Sequence, residues 1–136
     1  MKLTIDTSVA LKLILDEPGS DAAEALVEGD ATLIAPDLIH AEMANALWAN
    51  ALSKRIEPAQ AQALVSVWQP LLDTYYPVAG LTEDALRLAL ALNHAIYDCL
   101  FLALAIREDA MLVTADTKFL KLIEGTPYAV HARALS

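Results

Sequence analysis

The spacing of apolar residues changes repeatedly along the chain, and each change marks the end of one element and the start of another. Lys2 to Asp6 reads as an apolar strand that begins almost at Met1 and runs into a carboxylate. Thr7 and Ser8 are cap-forming types, and Val9 to Leu15 continues as a helix that Pro18 and Gly19 stop. Ser20 can cap a short helix over Asp21 to Glu28, which Gly29 ends, and Thr32-Leu33-Ile34-Ala35 is a second strand bounded by turn residues. Pro36 opens a long helix to about Ser53; Pro58 opens another to about Leu72, with Leu64, Val67, Trp68, Leu71 and Leu72 at helical spacing.

Tyr75 to Ala79 fits an edge or an end of a sheet, because Pro77 cannot donate to a ladder. Thr82-Glu83-Asp84 starts a helix, the pattern breaks near Asn93-His94, and Ala95 to Asp109 forms another that is apolar on nearly every side from Cys99 to Ile106. Ala110 to Asp116 is a strand that again ends in an acid. A short helix over Thr117 to Ile123 and a terminal strand around Tyr128 to His131 complete the chain. Strands alternating with helices predict an α/β fold. The expectation is a parallel or mostly parallel central sheet of about five short strands, flanked by helices on both faces and joined by right-handed crossovers. With 136 residues, no internal repeat and no linker, residues 1–136 are expected to form one domain.

Composition refines this picture in three ways. The hydrophobic fraction of 57% suits a sheet covered on both faces, with apolar surface left over for a partner chain. Cys99 is the only cysteine, which excludes an internal disulfide, and no Cys/His spacing fits zinc. No leader pattern is present and no apolar run approaches the ~20 residues of a bilayer span. A cytoplasmic protein with no membrane association is therefore expected.

The net charge of −9 by itself argues against a nucleic-acid partner. Much of it lies in one block, Asp16, Glu17, Asp21, Glu24, Glu28 and Asp30, which reads as a solvated helix surface. If that block is set aside and the acids discussed next are neutralised by a cation, the remainder carries a slight positive balance.

Four other acids stand where a charge is costly. Asp6 and Asp116 end strands, and in open parallel sheets ligands bind at the carboxyl edge. Glu42 shares a helix side with Leu38, Ile39, Ala46 and Ala49. Asp98 shares one with Phe101, Leu102 and Ala105, in a first turn where the dipole favours an anion. Singly, each has an ordinary explanation as a cap or a strand-end residue. Jointly, two strand ends and two inward helix faces can serve one pocket, where four carboxylates would repel unless a cation intervenes. Oxygen ligands alone call for a hard divalent ion, Mg²⁺ or Mn²⁺. Such an ion can activate water for in-line attack on a phosphodiester, with Asp98 as a candidate proton acceptor if it does not bind the metal. Lys12, Lys118 and Lys121 flank these segments and are either phosphate contacts or solvent-facing.

These segments carry a resemblance. Ile5-Asp6-Thr7-Ser8, Glu42-Met43-Ala44-Asn45-Ala46-Leu47, Tyr97-Asp98-Cys99-Leu100-Phe101-Leu102-Ala103-Leu104-Ala105 and Leu112-Val113-Thr114-Ala115-Asp116 resemble, in order and spacing over essentially the whole chain, the PIN-domain ribonucleases, in particular VapC-type toxins of toxin–antitoxin pairs. The resemblance implies an acidic catalytic centre of Asp6, Glu42, Asp98 and Asp116, with Asp6, Asp98 and Asp116 as metal ligands. It also implies that Thr7 or Ser8 and Thr114 support the site. Further implications are Mg²⁺- or Mn²⁺-dependent cleavage of RNA, a homodimer, and a cognate VapB-like antitoxin.

Other residues are read structurally. His40 falls on the far side of its helix from Glu42, a surface or packing position. His94 and His131 have no evident acidic partner. Cys99 is a small buried hydrophobe, and Trp48 and Trp68 are expected in the core, with an interface as the lesser possibility. Two other functions compete with a ribonuclease: a non-catalytic module of the same fold, and a receiver-like signalling domain. The latter wants adjacent acids after the first strand, where Thr7 and Ser8 stand instead.

Overall fold

Leu3, Thr4 and Ile5 are buried on every side, and the strand they form is the middle of the sheet. The computed structural model describes residues 1–136. In chain order the elements are β1 (Lys2–Ile5), α1 (Thr7–Lys12), α2 (Ser20–Glu28), β2 (Thr32–Pro36), α3 (Leu38–Leu52) and α4 (Pro58–Trp68). There follow β3 (Thr74–Tyr76), α5 (Thr82–Leu92), α6 (Ile96–Arg107), β4 (Met111–Thr114), α7 (Thr117–Ile123) and β5 (Ala132–Ala134). The five strands are all parallel, in the order β3-β2-β1-β4-β5. Thr4 sits between Ile34 and Leu112 in register, which fixes β1 against both neighbours.

This order positions the site. From β1 the chain steps outward through β2 to β3, then returns to lay β4 on the opposite flank of β1. The crevice outside the carboxyl ends of β1 and β4 is thus a topological switch point, the place where such sheets bind ligands. Receiver-like sheets have the order 2-1-3-4-5, so the receiver-like alternative does not hold.

The core is built chiefly by α6, whose residues Cys99 to Ala105 are all buried and which packs on β1, β2 and β4. Its all-round apolarity is therefore used within the fold, and no single helix is long and apolar enough to cross a membrane. Helix α5 packs against α6, and Asn93, in the left-handed region at φ 51°, ends α5 where the pattern breaks.

Several boundaries differ from expectation, each for a local reason. Thr7 and Ser8 are the first residues of α1, and the cap is Asp6, whose side chain accepts the Val9 N–H. Helix α1 also stops at Lys12, short of Leu15. Ser20 does not cap α2: its hydroxyl donates to the Leu15 carbonyl and accepts the Glu17 N–H, holding the preceding turn. Pro36 closes β2 rather than opening α3, and Tyr128 to His131 is not a strand, since the last strand follows at Ala132–Ala134. Trp68 is buried as expected, but Trp48 is 59% exposed.

Candidate functional site

Asp6 leaves the end of β1 and caps α1, so its carboxylate is held at the switch point by the backbone itself. Oδ1 accepts the Val9 N–H at 3.1 Å and the Ser8 hydroxyl at 2.6 Å, and Oδ2 accepts the Thr114 hydroxyl from the end of β4. Those two hydroxyls are themselves oriented from β4. The Ala115 N–H donates to Ser8 Oγ at 3.0 Å, and the Asp116 N–H donates to Thr114 Oγ1 at 3.0 Å. A short network thus ties the ends of the two central strands together around one carboxylate.

Glu42 reaches the same region from α3. It is half-buried beside the fully buried Met43, and its Oε1 accepts the Thr7 hydroxyl at 2.6 Å. Asp98 stands in the first turn of α6, and its charge acts on both Asp6 and Glu42. Burial pushes the Asp6 carboxyl up to about 6, against the lowering effect of its hydrogen bonds, and the negative charge of Asp98 adds to the rise. Burial likewise raises Glu42, opposed by the Thr7 hydroxyl and reinforced by Asp98. No lysine or arginine pairs with any of these acids.

Asp116 is placed differently. Its Oδ1 accepts the N–H groups of Lys118 and Phe119, capping α7, and its link to Asp6 runs through the Thr114 hydroxyl. Oδ2 of Asp116 accepts nothing from the chain. The structure therefore couples Asp6, Glu42 and Asp98 electrostatically and sets Asp116 beside them through a hydroxyl. The four do not close into one tight cluster: no three His, Cys, Asp or Glu side chains form a ready-made metal cage.

The donor set nonetheless fits a hard divalent ion. The ligand atoms of the acids and of the hydroxyls around them are oxygens, several are uncommitted, and no lysine or arginine balances the acids. An open arrangement suits an ion that keeps several waters and takes only one or two carboxylates before substrate arrives.

His94, for which the sequence shows no evident acidic partner, has one in the fold. Its Nε2 lies 2.8 Å from Asp98 Oδ2, and its ring packs against Phe119 of α7. The four-residue spacing was visible, but His94 lies in the break before α6, where helical periodicity says nothing. His40 packs between Trp68 and Tyr75, with ring centroids at 5.4 and 4.5 Å. Lys12 is not a free phosphate contact, since its ammonium is held by Glu17 and the Pro18 carbonyl, whereas Lys118 and Lys121 are exposed. Burial pushes the Cys99 thiol up to about 11, with Asp98 adding to it, so Cys99 supplies no thiolate nucleophile.

The family model described as the PIN domain matches residues 3–124. The chain is 31% identical over 116 residues to Ribonuclease VapC9 of Mycobacterium tuberculosis, covering 85% of this chain and 87% of that one. Among solved structures it superposes on PAE2754 from Pyrobaculum aerophilum with a TM-score of 0.74, at 20% identity and over 99% of this chain and 90% of the other. VapBC2 from Rickettsia felis, solved bound to a DNA fragment from its promoter, gives a TM-score of 0.70 at 21% identity, with 98% of each chain covered. The two structural likenesses concern the fold.

Proposed function

The chain belongs to the PIN domain family, and we propose that it is a metal-dependent endoribonuclease acting as the toxin of a VapBC-type toxin–antitoxin pair. The observation that carries this reading is the carboxylate of Asp6 at the switch point, part-buried, pressed by the charge of Asp98, and paired with no lysine or arginine. A cation beside such a group offsets the cost of its charge.

Asp6, Asp98 and Asp116 are the residues we assign to hold a divalent ion, Mg²⁺ or alternatively Mn²⁺, with Glu42 completing the acidic centre. The ion, when bound, supplies acidity to a water and charge neutralisation to a phosphodiester. The chain's own groups do the positioning. Ser8 and Thr114 hold Asp6 in one orientation, and Thr7 fixes Glu42 through Oε1. Asp98 was the first candidate for accepting the water's proton, but its Oδ2 is engaged by His94. Oε2 of Glu42 accepts nothing from the chain, and burial raises its proton affinity, so Glu42 is the better acceptor.

The relative's name, a ribonuclease, supports RNA as the substrate class, and the partner we propose is a cognate VapB-like antitoxin. Two uncovered apolar faces support partner chains. One carries Trp48 and Leu52 of α3 with Val65 of α4, and the other carries Leu86 and Leu90 of α5. We expect one domain, a homodimer and a cytoplasmic location.

The deciding experiment is cleavage of RNA with and without EDTA, for the wild type, Asp6→Asn and Asp98→Asn. Cleavage that disappears with EDTA and in both variants, while their far-UV circular dichroism is unchanged, supports the reading. Full activity in both variants removes it. Metal binding without any turnover favours the non-catalytic module.

A further inference from the structure

A cavity of about 370 Å³ opens between α3 and the start of α6, lined by Thr7, Leu38, Ala41, Glu42, Asn45 and Tyr97. It shares Glu42 and Thr7 with the acidic centre, so whatever occupies it lies against the reacting group. That volume falls within the range of small-ligand pockets.

Two of its side chains are free in a way their counterparts are not. The hydroxyls of Tyr75 and Tyr76 are hydrogen-bonded within the chain, to the Gln69 carbonyl and to Glu108, whereas Tyr97 makes no such bond and is 58% exposed. Asn50 donates to the Ala46 carbonyl, whereas the exposed carboxamide of Asn45 bonds to nothing in the chain. A large aromatic ring and an amide with both donors and an acceptor are thus presented together over the apolar floor of Leu38 and Ala41.

We propose that this cavity is a base-recognition subsite for single-stranded RNA, in which Tyr97 stacks on an unpaired nucleobase next to the scissile phosphate and Asn45 hydrogen-bonds its edge. The charge of the walls selects the base over the phosphate. No lysine or arginine lines the cavity, and Glu42 would repel an anion. An uncharged, flat group with hydrogen-bonding edges matches all the lining residues. A base inside a duplex presents no free face to an aromatic ring, so the subsite requires unpaired RNA. Tyr97 and Glu42 line the same cavity, so a base fixed on that ring brings the adjoining phosphodiester to the acids.

This inference rests on the ribonuclease reading, and its test separates the two. In an Asp6→Asn background, which removes cleavage, binding of short fluorescein-labelled homopolymers of A, C and U and of a duplex RNA is followed by anisotropy. Adding Tyr97→Ala is expected to weaken single-strand binding about tenfold, the effect of losing one base stack, while Tyr97→Phe stays within about twofold. Asn45→Ala is expected to change the ranking of the homopolymers, and duplex binding is expected to be unaffected by either change. In the active protein, Tyr97→Ala raises KM for a mixed-sequence RNA more than it lowers kcat. If the wild type cleaves RNA but Tyr97→Ala alters neither homopolymer binding nor KM, the subsite is overturned and the ribonuclease reading stands. If the wild type neither binds nor cleaves any RNA, both fall.

Discussion

Thr114 donates its hydroxyl hydrogen to the carboxylate of Asp6, a residue 108 positions earlier, and the same oxygen accepts the N–H of Asp116. One hydroxyl thereby joins the ends of β1 and β4 and sets the rotamer of the acid at the switch point. Thr114→Val keeps the shape and removes both hydrogen bonds, leaving a backbone N–H and a carboxylate oxygen without partners. The expected loss is ~1–3 kcal/mol of stability, read by urea unfolding, together with a fall in RNA cleavage. Thr114→Ser restores the hydroxyl and most of both properties. Equal stability of the valine variant and the wild type would show that the network does not hold the site.

The raised Asp6 carboxyl gives a pH dependence with a definite sign. The folded protein holds this proton up to about 6, the unfolded chain only to near 3.8, so between those values folding takes up a proton. The contribution of Asp6 is present in full below the unfolded value and is lost as pH rises through the folded one. Glu42 shifts in the same direction, whereas Glu108 is lowered by Lys2 and Tyr76 and acts oppositely. The difference between the wild type and Asp6→Asn isolates the one group. In metal-free buffer the wild type loses stability relative to Asp6→Asn as pH rises over that interval, measured by thermal unfolding. A divalent ion competes with the proton, so its stabilising effect grows over the same interval. A difference that does not vary with pH would contradict the assignment.

Much of this arrangement was legible in the residues. The strands that end in Asp6 and precede Asp116 follow from apolar runs meeting an acid, and the burial of α6 follows from its all-round apolarity. What was not legible depended on placement between elements. Sheet order, which makes the ends of β1 and β4 neighbours, has no local signature. The capping of α1 by Asp6 was misassigned because Thr7 and Ser8 are equally good capping types. The side chain of Asp116 is committed to α7, which blurs the expected convergence of four acids into a group of three with one beside it.

His94 tests whether Asp98 needs a positioning partner. Their contact at 2.8 Å joins the break after α5 to the first turn of α6. His94→Ala frees the Asp98 carboxylate to rotate, and RNA cleavage is expected to fall about tenfold, since misplacement of a reacting group is costly in rate. His94→Gln keeps a donor and should recover part of the loss. A structural role alone would move the unfolding midpoint of both variants and leave kcat unchanged, so kcat and urea midpoints are measured together.

The two tryptophans separate packing from partner binding. Trp68 is 1% exposed and meets Tyr75 edge-on, so Trp68→Ala opens a cavity and should cost ~3–5 kcal/mol. Trp48 was expected in the core, but it stands 59% exposed on α3 beside Leu52, an apolar surface that nothing in the chain covers. Its helix is already secured by Ile39, Met43 and Leu47, all fully or nearly buried. Trp48→Ala should therefore leave stability within about 0.5 kcal/mol of the wild type. If this face receives a partner chain, the same substitution weakens that association, because exposed aromatics carry much of the binding energy where they are covered. Urea unfolding at two protein concentrations distinguishes the cases. A loss of stability that appears only at the higher concentration in Trp48→Ala assigns the face to a second copy of this chain, whereas equal curves at both leave it for a different protein.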